Sequence, residues 1–82
     1  MWIKLLRSDL TKYLKKHQLV RKYSKQVELF CANSHHSSLS TEALEPKSLK
    51  IYSFRIDKKY RAIFILVKPN EIEVVDINNH YH

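Results

Sequence analysis

Glu42, Arg61 and His80 are the residues of this sequence whose types suit acid–base chemistry around a phosphate. Cleaving an RNA phosphodiester from within needs a base for the 2′-hydroxyl proton, an acid for the departing 5′-oxygen, and a cation against the charge that builds on phosphorus. A carboxylate ahead of a run of strands, an arginine inside it and a histidine after it match those tasks, provided that folding brings them together. Histidine titrates near neutrality and so suits proton transfer, although a lone histidine in such a place is more often simply solvated. Arg61 stands out on separate grounds. The run Tyr60 to Val67 is dense in strand formers and apolar on both faces except at this position, which predicts a central strand with a guanidinium set into it. Burying that charge is costly unless an anion meets it. Either an internal carboxylate, Asp76 or Glu73, pairs with it, or it serves an external anion such as phosphate.

The elements that must position these residues lie between Leu49 and His82. Residues Ile51 to Ile56 alternate with a period of two, which puts Tyr52, Phe54 and Ile56 on one face and Ile51, Ser53 and Arg55 on the other. A polar turn, Asp57-Lys58-Lys59, leads into the central strand. Pro69-Asn70 then turns the chain into a third strand, Ile72 to Ile77, which runs on into Asn78-Asn79-His80-Tyr81-His82. Upstream, Trp2 to Leu6 reads as a short strand. Ser8-Asp9 reads as an N-cap followed by a first-turn acid, and Leu10, Tyr13 and Leu14 as the apolar stripe of an amphipathic helix. The helical period weakens at His17-Gln18 and resumes with Leu19, Tyr23, Val27 and Phe30 to about Ala32, which predicts two helices. Asn33 to Ser38 is a low-complexity loop, and Leu39 to Pro46, with Glu42 and Glu45, has no clear period. The chain contains no glycine, so turns that need a left-handed residue are expected to use Asn, Asp or Lys.

The totals bound the classes of function. Eighty-two residues make a single domain, residues 1–82, and bury on the order of 60% of the surface exposed by the unfolded chain. A content of 44% hydrophobic and 28% charged residues is that of a globular domain, and the longest apolar run, Ala62 to Val67, is far short of a membrane span. Lys4 and Arg7 interrupt the first apolar residues and no small-residue cleavage site follows, so a cytoplasmic location is the default expectation. The single cysteine, Cys31, cannot staple the domain. With His35, His36, His80 and His82 it makes no ligand-pair framework, so neither metal nor cofactor is expected. The net charge of +7 is uneven: residues 1–40 hold eight Lys or Arg against two acids, and residues 41–82 seven against six. Such an excess favours a polyanionic partner, nucleic acid or acidic protein, while a solvated lysine face fits the same numbers.

The segments "TEALEP", "IYSFRIDKKYRAIF" and "VVDINNHYH" together resemble the RelE/ParE superfamily of bacterial toxin–antitoxin toxins, and within it the ribosome-dependent mRNA interferases of the RelE, YoeB and HigB kind. The likeness covers residues 41–82 well and residues 1–40 only in the order of elements. It implies an α+β fold with two N-terminal helices packed on one face of a small, mostly antiparallel sheet. It also implies a metal-independent endoribonuclease that cuts message on the ribosome and so inhibits translation. By the same resemblance Glu42 is the general base, His80 the general acid and Arg61 the phosphate clamp. Arg55 is then a second cation, Tyr81 stacks on or orients a nucleotide, and Lys50 and Lys58 contact the substrate. The implied partners are an acidic antitoxin, the ribosome and mRNA, with no membrane, in a homodimer or a heterotetramer with the antitoxin. The sequence departs from the pattern twice. The family's glycine after the glutamate gives way to Glu45-Pro46-Lys47, which makes Glu45 a rival of Glu42, and the closing His-Tyr pair is followed by His82, a rival of His80. A ParE-like toxin that inhibits a protein such as gyrase, and an inactive member that only binds its antitoxin, are the alternative readings.

Overall fold

The computed structural model describes residues 1–79. Its elements run β1 (Trp2–Ile3), α1 (Ser8–Lys16), α2 (Val20–Ala32), β2 (Glu42–Ala43), β3 (Ile51–Arg55), β4 (Arg61–Lys68) and β5 (Glu71–Asn78), with 3-10 turns at Ser37–Leu39 and Lys47–Leu49. The five strands lie in the order β1-β5-β4-β3-β2, which makes the apolar strand carrying Arg61 the central one. All neighbours are antiparallel except β1, which runs parallel to β5.

The turn between β3 and β4 is made without glycine. Asp57 Oδ1 accepts from the backbone N–H groups of Lys59 and Tyr60, both at 2.8 Å, a side-chain turn that needs no left-handed residue. Where the backbone does turn left-handed, the residues are Gln18, Ser40 and Lys50. Only Lys50 is of the expected type. Each of the three closes a helical or 3-10 turn by donating its N–H to the carbonyl three residues back, on Lys15, Ser37 and Lys47. The geometry of a helix end, rather than side-chain preference, sets φ there. The entry to α1 also differs from expectation. Ser8 is the first helical residue, and Arg7 occupies the cap with no side-chain capping bond. Arg7 instead pairs with Asp9 at 3.1 Å and donates to the Val75 carbonyl at 3.2 Å, at the bulge where β5 slips register against Ile63 and Phe64.

One apolar face of the sheet meets both helices. Phe30 of α2 sits 5.3 Å from Phe54 and 5.4 Å from Phe64, ring centre to ring centre, and Leu10, Leu14, Leu19, Ile72, Val74 and Ile77 close the core around them. Tyr52 stacks beside Phe64 at 5.6 Å. Tyr52 and Phe54 therefore face the helices, as the alternation predicts. Since residues opposite one another in a ladder share a face, Ser53, Arg55 and Arg61 project the other way. No helix among the described residues is long and apolar enough to cross a membrane.

Candidate active site

Arg61 opens β4 on the face away from the helices, opposite Arg55 on β3 and Asn78 on β5. It is buried, 6% exposed, and its partners are not carboxylates. Nε donates to Ser53 Oγ at 2.9 Å, while Nη2 donates to the carbonyl of Ser53 at 3.4 Å and to the carbonyl of Ser40. Of the two readings of Arg61, the internal pair with Asp76 or Glu73 does not form among the described residues. Asp76 is exposed and accepts from Asn78 Nδ2 at 2.7 Å, and Glu73 lies 3.9 Å from Lys4. Neutral oxygens meet the Nε and Nη2 donors without cancelling the charge. No buried side-chain nitrogen or oxygen among the described residues lacks a partner. Nη1 takes part in no hydrogen bond among those residues.

Glu42 reaches the same face through β2. Its Cα partner in the ladder is Ser53, the residue that holds Arg61, so its exposed carboxylate lies on the Arg61 side of the sheet. Burial lowers the Arg61 guanidinium from its ordinary value, the negative charge of Glu42 draws it back up, and the positive charge of Arg55 lowers it further. Arg55, exposed beside it, adds a second cation. The rival Glu45 is exposed in the turn before Pro46, three residues past Glu42.

The structure does not gather every residue expected here. Lys58 is exposed in the turn at the Arg61 end of the sheet. Lys50 stands at the other end of β3, five residues before Arg55, which along a strand is roughly 16 Å away. His80, Tyr81 and the rival His82 lie outside the described residues. Tyr60 turns to the helix side, where its hydroxyl is 3.2 Å from His17 Nδ1 and its ring packs near Tyr13. An apolar hollow of about 230 Å³, lined by Phe30, Tyr52, Phe64 and Leu66 among others, opens on that side too and is no part of this site. The residues that sequence reasoning missed are Ser40 and Ser53. A small hydroxyl residue among Ile, Tyr, Phe and Arg in β3 was the available signal for Ser53, whereas a backbone acceptor at Ser40 leaves none.

No family model matches the sequence, and no curated protein matches it either. Solved structures do. A YoeB/ParE toxin from Agrobacterium tumefaciens superposes with a TM-score of 0.72 at 16% identity, over 99% of this chain and 100% of that one. The toxin in a heterotetrameric YoeB-YefM toxin–antitoxin complex from Staphylococcus aureus gives 0.68 at 20% identity, over 98% and 94%. A YoeB dimer from the same organism gives 0.64 at 19%, again over 98% and 94%. Two helices on one face of a five-stranded, mostly antiparallel sheet, followed element by element over nearly the whole chain, are the fold of the YoeB/ParE toxins, and this chain has that fold.

Proposed function

We propose that this protein is the toxin of a bacterial toxin–antitoxin pair, a metal-independent endoribonuclease that cleaves mRNA on the ribosome. The observation that supports this most is a guanidinium pinned through Nε and Nη2, with Nη1 in no hydrogen bond among the described residues, on the face that also carries Glu42 and Arg55. Glu42 takes the proton of the attacking 2′-hydroxyl. Arg61, seconded by Arg55, meets the charge growing on the phosphate oxygens. His80, two residues beyond Asn78 in the sequence, protonates the departing 5′-oxygen, and Tyr81 stacks on a nucleotide. The net charge of +7 supports an acidic antitoxin and ribosomal RNA as partners, in a homodimer or a toxin–antitoxin heterotetramer within the cytoplasm.

Programmed ribosomes carrying a labelled message test the reading. Cleavage should leave a 2′,3′-cyclic or 3′-phosphate and a 5′-hydroxyl, without added metal. Arg61→Ala should lose about a hundredfold or more in rate, since a donor aimed at developing charge is commonly worth roughly 3 kcal/mol. Glu42→Ala and His80→Ala should each lose about 10² to 10⁴. Greater damage from Glu45→Ala or His82→Ala would move the roles to those residues. Message left intact while growth is blocked would favour a protein target of the gyrase kind.

A further inference from the structure

We infer that Ser53 is the positioning residue of this site, fixing the direction in which Arg61 presents its Nη1 edge and tying that direction to the strand that carries Glu42. The inference rests on the ribonuclease reading above. A serine is out of keeping with its place in a five-residue strand, where β-branched or aromatic residues pack better. Yet Ser53 is 0% exposed and its oxygens are put to use. Oγ accepts from Nε at 2.9 Å, and the Ser53 carbonyl, at 3.4 Å, shares Nη2 with the carbonyl of Ser40. A guanidinium is planar, so holding Nε and Nη2 fixes Nη1 as well. The second anchor leads back to the carboxylate. Ser40 adopts a left-handed conformation (φ 44°, ψ 50°) and precedes Glu42 by two residues, and Glu42 is the ladder partner of Ser53. Cation and base are thus registered against one buried hydroxyl. A donor that has lost its aim stabilises the transition state less while the message still binds, so the loss should fall on kcat rather than KM.

Two measurements on the whole protein test this. In ¹⁵N spectra the Arg61 Nε–H should exchange with solvent slowly in the wild type and in Ser53→Thr, which keeps the acceptor, and at least about tenfold faster in Ser53→Ala. Equal exchange in wild type and Ser53→Ala overturns the inference whatever the activity. On programmed ribosomes Ser53→Ala should lower kcat about tenfold or more with KM nearly unchanged, Ser53→Thr should recover it, and Ser53→Ala should add nothing to Arg61→Ala. A Ser53→Ala protein that cleaves at the wild-type kcat overturns the inference. A wild type that does not cleave, in which Ser53→Ala still frees the Nε–H, sinks the ribonuclease reading while the pinning of Arg61 stands. Should Ser53→Ala not fold, Ser53→Cys, which keeps the volume but offers a weak acceptor, takes its place in both measurements.

Discussion

Tyr23 shows at the scale of one residue what the helix–sheet core does to a titrating group. Burial against Phe54, with a smaller push from the neighbouring Cys31, raises its phenol from 10.0 to about 12. The folded state thus holds this proton more tightly than the unfolded chain does. The stability it contributes is complete below pH 10 and is lost as pH rises through 12. Urea unfolding followed across that range should show the wild type losing about 2 to 3 kcal/mol, two pH units at about 1.4 kcal/mol each, more than Tyr23→Phe does. A residual loss in the variant is expected from Tyr13, also raised by burial. An identical alkaline decline in both proteins would place the effect elsewhere. Residues were legible in the sequence to the extent that their side chains alone made them conspicuous. Arg61 was, as a charge in an apolar strand. Its partners were not, because the Ser40 and Ser53 carbonyls belong to the backbone and look alike at every position.

Elements with a strong pattern of their own were legible, which covers the alternating β3, the doubly apolar β4, and both helices with their break near Gln18, though not the cap of α1. The two-residue strands β1 and β2 exist only through their pairing with β5 and β3, so nothing local could announce them as such. Trp2 to Leu6 was apolar enough to suggest a strand, of which only Trp2–Ile3 forms one and Leu5 is exposed, while Glu42 and Ala43 were not. The same blindness hid Gln26. It lies on the inward stripe of α2, 8% exposed, and its Nε2 donates to the Ser38 carbonyl at 3.2 Å and to the Arg55 carbonyl at 2.7 Å. One amide thereby fastens the helix to the end of β3 and to the turn leading to β2. Gln26→Leu, which keeps the apolar bulk and removes the donors, should destabilise the fold by about 1 to 3 kcal/mol in chemical denaturation. A variant as stable as the wild type would mean that water serves the two carbonyls equally well.

Eight of the fifteen Lys and Arg lie on the Arg61 face, as Arg55 and Arg61, and on the helices, where Lys12, Lys15, Lys16, Arg21, Lys22 and Lys25 are all exposed. Under the proposed function, affinity for ribosomes should therefore fall steeply with salt. Replacing Lys15 and Lys16 by alanine should reduce the slope of log K against log salt by up to about 2 if both meet phosphates. An unchanged slope would show that this helix faces away from the RNA. The order of the strands has a further effect, on when the molecule becomes itself. β5 is the last element among the described residues yet lies between β1 and β4, and it supplies Ile72, Val74 and Ile77 to the core. Contacts between the first and last strands are the slowest kind to form, and here they cannot form until the last strand has been made. A nascent chain emerging in order thus carries Glu42 and Arg61 on a sheet that has no floor. Under the proposed function, a chain not yet through β5 would lack the core that supports Arg61.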